Sequence, residues 1–235
     1  MNKLSVCIAT YNGEEYIKEQ LESILIQIDT LDEIIISDDS SSDNTLNIIK
    51  SINDKRIKIY PNNKFHSPIF NFENALKKAN GDYIFLCDQD DVWLPNKVKI
   101  MKSYLKNYDM VVSDCIIVDK NLNQISESFY KKFPPQKGFL QNLIKNHYLG
   151  CCMAFKKEIL NKALPFPPHI AMHDIWLGLC AEAFFKSTFI EDKLIKYRRH
   201  NNNASSTSEK SRLSFKKQIL YRLYFLRQII TRILK

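Results

Sequence analysis

The sequence predicts an α/β fold, a mostly parallel central sheet flanked on both faces by helices and followed by a basic amphipathic C-terminal helix. Three observations carry that expectation. From residue 4 to about residue 90, short apolar runs of strand length alternate with segments whose apolar residues repeat at helical spacing. The intervening helices are long enough for crossover connections, which set successive strands parallel. Small polar and acidic residues follow three of the strands, at the carboxyl edge where such sheets bind ligands.

Taken in order, "LSVCIAT" (4–10) reads as a buried strand. A helix follows from about Glu14 to Ile28, with Ile17, Leu21, Ile24, Leu25 and Ile28 on one face. "EIIISDD" (33–39) is the second strand, with a helix over about 43–52 behind it. "RIKIY" is a short strand, "SPIFNFENALKKAN" a helix stopped by Gly81, and "DYIFLCD" the fourth strand. After a helix over about 95–107, "DMVVSDCIIVD" (109–119) returns as a strand. "ESFYKKFPPQKG" reads as an irregular loop, and a helix over about 139–146 leads into a strand at "YLGCCMAF" (148–155). Another helix begins near Lys156 and ends before Pro165. "MHDIWLGLCAEAFF" (172–185) is apolar at helical spacing, "KLIKYRRH" (193–200) is a last strand, and "NNNASSTSEK" is a polar stretch expected to be mobile. The expected division is a body over 1–205, with halves 1–119 and 120–205, and a linker with a basic helix over 206–235.

At 235 residues, 45% hydrophobic and 26% charged, the composition is that of an ordinary globular chain. The formal net charge of +8 sits mostly in the tail, where eight lysines and arginines from Lys210 to Lys235 face Glu209 alone. A near-neutral body excludes an extended nucleic-acid groove. Six cysteines lie in apolar surroundings without zinc-site or disulfide spacing, the pattern of reduced core residues in a cytoplasmic protein. "MNKLSVCIATYNG" reaches a polar turn too early for a signal peptide, and no run approaches about 18 apolar residues, so neither secretion by that route nor a membrane span is expected. In the tail, Ile219, Leu223, Leu226, Ile230 and Ile233 form a stripe with Arg222 and Arg227 near its margins. That pattern fits a helix lying in a membrane surface, or one docked on the body or self-associating.

The chemistry concentrates in two acidic clusters, "SDDSSSD" and "CDQDD". Alone, the first is also what a turn and helix N-cap look like, with Asp43 as the cap. The second makes that reading less complete. Asp-x-Asp places two carboxylates about 7 Å apart on one side of an extended backbone, where a turn brings their oxygens onto one divalent cation. A receiver-type phosphoacceptor would need its acid pair after the first strand instead. Asp174, at the start of its helix, is either a cap favoured by the helix dipole or a general base.

"VCIATYN", "IIISDDSSSDNT", "NGDYIFLCDQDDVW", "YLGCCMAFKKEIL", "MHDIWLGL" and "YRRHNNN", in this order, resemble the family 2 glycosyltransferases with the Rossmann-like GT-A fold. "DQDDVW" is similar to the bacterial rhamnosyltransferase-like enzymes of surface polysaccharide assembly. The resemblance implies that Thr10, Tyr11, Asn12, Asp38 and Asp39 hold the base and ribose of a nucleotide sugar, with Gln89 and Asn71 nearby. It makes Asp88 and Asp90 the Asp-x-Asp pair, with His200 completing a Mg2+ or Mn2+ site and Asp91 supporting it. Asp174 becomes the general base and His173 stands where the family has Glu. Gly150, Trp93, Trp176 and Arg199 serve the acceptor side or brace the site. Arg198 and Arg199 are both placed to aid the leaving diphosphate, but alternation lets only one face it. The implied activity is inverting transfer of a sugar, rhamnose or another hexose, from a UDP- or dTDP-linked donor to a saccharide or lipid-linked saccharide. The enzyme would lie peripherally at the inner face of a bacterial plasma membrane. A sugar-nucleotide nucleotidyltransferase would need a Gly-rich basic loop where "ATYNGEEY" has acids, and a non-catalytic nucleotide-sugar-binding scaffold would not need Asp174 beside the acidic cluster.

Overall fold

A computed structural model describes residues 2–200, 203 and 215–234. The stretch "NNNASSTSEK" lies outside the described residues except for Asn203. In chain order the elements are β1 (Leu4–Thr10), α1 (Ile17–Leu25), β2 (Glu33–Asp38), α2 (Thr45–Ser51), β3 (Ile57–Tyr60) and α3 (Pro68–Lys78). They continue with β4 (Tyr83–Cys87), β5 (Val92–Trp93), α4 (Lys97–Leu105), β6 (Met110–Val118), β7 (Gln124–Ser126), α5 (Phe129–Lys132) and α6 (Phe139–Ile144). The last are β8 (Met153–Lys156), α7 (Leu160–Ala163), α8 (His173–Phe184), β9 (Ser187–Arg198) and α9 (Phe215–Ile233).

The strands form one sheet in the order β3-β2-β1-β4-β8-β6-β9-β5, with β7 added to β6. β3, β2, β1 and β4 are mutually parallel, as are β6 and β9. β8 runs against both of its neighbours and joins the two parallel groups. Every residue of β2 and β4 is buried, which follows from helices covering both faces. Helix α3 packs on β1 and β2, and α4 packs on β6 and β8. In α1 the apolar face expected from spacing is the buried one, Ile17, Leu21 and Ile24. At the amino edge, Glu33 accepts from Ser5 Oγ at 2.6 Å, Lys58 Nζ at 2.7 Å and Asn80 N at 2.8 Å. Burial alone would raise that carboxyl, but these bonds hold it at about 2.

Several elements differ from the sequence expectation for identifiable reasons. The 127–138 loop contains α5, nucleated by buried Asp114, which accepts from Ser128 Oγ at 2.5 Å and from the N–H groups of Phe129 and Tyr130 at 3.0 Å. The expected 148–155 strand begins only at Met153, because residues 150–152 form a 3₁₀ turn against α8. β9 starts at Ser187, earlier than apolarity suggested, since it pairs with nearly all of β6. On α9, the aromatic side that blurs its amphipathicity is the docked side. Phe225 and Ile229 are buried, and Phe225 stacks on Trp176 with ring centroids 6.3 Å apart. Arg222 donates to Ile144 O at 2.7 Å, so it braces α9 on the body. No helix among the described residues is long and apolar enough to cross a membrane.

Helix α3 ends at Lys78 with Ala79 already extended, so Gly81 is not its stop. Gly81 instead lets the 79–82 segment lie on the start of β1: its N–H donates to Ser5 Oγ at 2.7 Å, and a Cβ there would sit 2.6 Å from Ser5 N and 2.7 Å from Leu4 C. Gly81→Ala is expected to cost about 1–3 kcal/mol, as overpacking against backbone does, read as a lower midpoint in urea with unchanged slope.

Candidate active site

Register brings the carboxyl ends of β1, β2 and β4 together, with Thr10 opposite Asp38 and Ile8 opposite Cys87. Asp38 is buried there and accepts from Thr10 Oγ1 at 2.9 Å, Ser41 N at 2.9 Å and Ser41 Oγ at 2.5 Å. Asp39 accepts from Phe65 N at 2.7 Å and Ser67 N at 3.1 Å, which sets the entry to α3. Both carboxylates therefore shape the edge. Beside them Tyr11, 57% exposed, and Asn12 open to solvent. Asn12 adopts a left-handed φ of +47°, donating its N–H to Ser41 Oγ at 2.9 Å and accepting from Ser42 N at 2.9 Å. Asp43 caps α2 from just outside it, accepting from Thr45 N at 3.0 Å. Asn71 Nδ2 donates to Thr10 O at 3.1 Å, and its Oδ1 is buried without a partner.

The acidic turn is held on two sides. Gln89 clasps the end of β1, accepting from Tyr11 N at 2.9 Å and donating to Tyr11 O at 3.0 Å. From the other side, Arg198 Nε donates to Asp90 O at 2.7 Å while its backbone N–H donates to Asp91 Oδ1 at 2.9 Å. Asp90 Oδ2 lies 2.7 Å from His200 Nε2 and accepts from Asn203 Nδ2 at 3.1 Å. Asp88, Asp91 and Cys151 form a second group whose ligand atoms lie within 4.8 Å of one another. Burial raises the Asp88 carboxyl to about 8, helped by the charges of Asp90 and Asp174. Asp91 is pushed well up by the same causes, burial first and then Asp90 and Asp88, and its Oδ2 is buried without a partner. Buried Lys97 donates to Cys151 O at 3.3 Å, lies 5.1 Å from the Trp93 ring centre and feels the charge of Asp91.

These residues fit a hard divalent cation. Carboxylates held toward their protonated forms by burial and by one another, with a buried carboxylate oxygen that has no protein partner, form a donor set whose charge a cation would offset. The oxygens and nitrogen it could meet are those of Asp88 and Asp91 on one side of the turn and of Asp90 and His200 on the other. Cys151 is a poor fit, because burial pushes its thiol well up and keeps it protonated.

Asp174 stands in the first turn of α8, directly after His173. Burial raises its carboxyl to about 6, against opposing bonds from the Ile175 and Gly150 N–H groups. Its charge raises Asp88, which places the two in one electrostatic neighbourhood. His173 is buried, stacked on Phe72 at 4.0 Å between centroids, and neither ring nitrogen has a partner. Burial lowers it to about 3, so it is neutral.

The structure narrows four of the expected placements. Gly150 is buried and leaves room for His173, since a Cβ there would lie 3.0 Å from His173 Nε2, and its N–H is directed at the Asp174 carboxyl. Trp93 and Trp176 are core residues, 3% and 0% exposed, and can only brace the site. Arg199 donates to Tyr197 Oη at 3.3 Å, and Arg198 is the arginine that meets the acidic turn. Lys97 and Asn203 were not singled out from sequence. A lysine one turn after an acidic loop and the third of three asparagines carry no local signal of their roles. Arg198→Ala is expected to cost about 3–5 kcal/mol, the usual loss when one partner of a buried charged network is removed, measured by chemical denaturation, with donor binding weakened in parallel.

Residues 5–164 match the family model described as Glycosyl transferase family 2. The chain is 32% identical to the dTDP-rhamnosyl transferase RfbG of Shigella flexneri, covering 96% of this chain and 83% of that protein. It is 28% identical to the Escherichia coli UDP-Glc:alpha-D-GlcNAc-diphosphoundecaprenol beta-1,3-glucosyltransferase WfgD, over 88% of this chain and 81% of that one. Among solved structures, S. aureus TarS 1-349 in complex with UDP-GlcNAc superposes with a TM-score of 0.72 at 19% identity, covering 97% of this chain and 73% of that chain. The acidic turn at the carboxyl edge, Asp174 facing it and these matches agree: the chain belongs to glycosyl transferase family 2 and is a glycosyltransferase of the GT-A fold.

Proposed function

We propose that the chain is a metal-dependent inverting glycosyltransferase acting in bacterial surface polysaccharide assembly. It would move a hexose, rhamnose or a related sugar, from a UDP- or dTDP-linked donor to a saccharide or lipid-linked saccharide. The observation that carries this reading is the pairing of a charge-deficient acidic turn with Asp174, whose carboxyl at about 6 is ionised at neutral pH yet basic enough to take a proton. The donors of the dTDP-rhamnosyl transferase RfbG and the UDP-Glc-using WfgD, and the diphosphoundecaprenol-linked acceptor of WfgD, support the donor and acceptor classes. The 1–119 half would bind the donor, with Tyr11 and Asn12 at the nucleoside, held in place by Asp38, and with Asp88 and Asp90 at the diphosphate, where His200 of the 120–205 half meets Asp90. The 120–205 half would present the acceptor. A divalent cation bound there supplies charge neutralisation for the departing diphosphate. Asp174 accepts the acceptor hydroxyl's proton as that oxygen attacks the anomeric carbon from the side opposite the leaving group. Lipid-linked acceptors would set the reaction at the inner face of the plasma membrane.

Asp174→Asn keeps the shape and removes the base. Transfer is expected to fall by about 10²–10⁴. Because burial raises the folded value to about 6, the stability contributed by the neutral form is present in full below the ordinary carboxylate range near 4. It is lost as pH rises through about 6. The Asn variant should therefore match or exceed the parent melting temperature at pH 8, and kcat of the parent should fall as pH drops through about 6. A variant that is inactive because it is unfolded would show the opposite thermal result.

Metal and nucleotide should stabilise together. With Mg2+ or Mn2+ present, UDP or dTDP at about 100 times its Kd is expected to add about 2.7 kcal/mol, visible as a higher melting temperature, and EDTA should abolish the gain. Full stabilisation in EDTA would count against the metal, and no stabilisation by any nucleoside diphosphate would count against the reaction class.

A further inference from the structure

Helix α9 has a docked side and an open one. On the docked side Arg232 donates to Leu164 O at 3.2 Å and Pro165 O at 2.5 Å, alongside the buried Phe225 and Ile229. On the open side Ile219, Leu223, Leu226, Ile230 and Ile233 are between 37% and 61% exposed. Helix α6 extends that surface: Leu140 and Ile144, one helical turn apart, are 65% and 64% exposed. The Arg222 bond to Ile144 O brings the end of α6 onto α9 one residue from Leu223. Exposed Lys137 and Lys145 flank α6, and exposed Arg227 lies on α9. No Asp or Glu occurs between residues 128 and 148 or between 215 and 234.

We infer that α6 and α9 together form a docking surface for an anionic lipid bilayer, with the apolar residues entering the headgroup boundary and the cations pairing with lipid phosphates. The charge decides against a second copy of this chain as the occupant. A two-fold contact through the same patch would set cation against cation with no acid to offset them, whereas anionic lipid supplies the missing sign. The surface deepens the membrane placement proposed above but stands on its own residues. It also bears on the reaction, because α9 packs through Phe225 on Trp176 of α8, the helix that begins with His173 and Asp174.

Sedimentation of the full chain with vesicles tests this directly. Binding is expected to vesicles containing phosphatidylglycerol, weakened by salt, and not to phosphatidylcholine alone. The double variant Leu140→Glu/Ile144→Glu, and separately Lys137→Glu/Lys145→Glu, should each lose about tenfold in partitioning. Ile125→Glu, at an exposed apolar position on β7, should bind as the parent does. Donor hydrolysis in free solution should be unchanged in all three, which shows that the fold is intact. If hydrolysis is absent throughout while vesicle binding follows this pattern, the surface is supported and the proposed reaction fails separately. Undiminished vesicle binding by Leu140→Glu/Ile144→Glu overturns the inference. So does a parent chain that ignores anionic vesicles and sediments as a dimer that Leu223→Glu dissociates.

Discussion

The site depends on one arginine crossing behind an acidic turn. Arg198 is 3% exposed and meets the turn in two ways, through its guanidinium to the Asp90 carbonyl and through its backbone N–H to the Asp91 carboxylate. The same guanidinium donates to Lys120 O at 2.6 Å and to Glu19 Oε2 at 2.5 Å, so it joins α1, the end of β6 and the turn. A planar group with donors on three separate nitrogens can reach acceptors on three sides at once, whereas all of a lysine's donors leave one nitrogen. β5 exists as a two-residue strand because the same contact line continues into its pairing with β9. His200 then follows two residues after Arg198 and comes to rest against Asp90.

Charge explains why this arrangement is poised. Arg198 gives its donors to carbonyls and to Glu19, and Lys97, fully buried beneath, is itself lowered by burial. Neither side chain bonds a carboxylate of the turn. Asp88 and Asp91 are consequently held toward their protonated forms. A divalent cation bound there would release those protons, which couples ion binding to pH. The structural carboxylates at the other edge behave oppositely: Glu33 has Lys58, Ser5 and Asn80 as partners and stays ionised despite burial.

Asp174 differs from both. Its carboxyl is raised by burial, and its neighbour His173, stacked on Phe72, is neutral and adds no negative charge. A carboxylate in place of that imidazole would push Asp174 further up. Gly150 makes the arrangement sterically possible, and the 3₁₀ turn it opens carries Cys151 to the underside of the acidic turn. The two walls of the site therefore meet through residues 150–152.

Much of the fold was legible because burial writes itself into composition. "LSVCIAT", "EIIIS" and "YIFLC" are predominantly apolar, since helices cover both faces of the sheet, and the polar residues after them mark its carboxyl edge. Local sequence thus determined which strands form the parallel half, which acids stand at their ends and where α8 begins with Asp174. Tertiary structure alone decided the rest. Period-two alternation says that one of Arg198 and Arg199 faces the turn, but β9's register against β6, shifted near Asp114, selects Arg198. Whether Trp176 meets an acceptor or the core depends on Phe225 of α9, far along the chain, arriving to stack on it. The side of α9 that docks depends on carbonyls left at Ile144, Leu164 and Pro165. Burial and periodicity are properties of a segment and can be read from it; register and docking belong to pairs of segments, and only the folded chain supplies the second member.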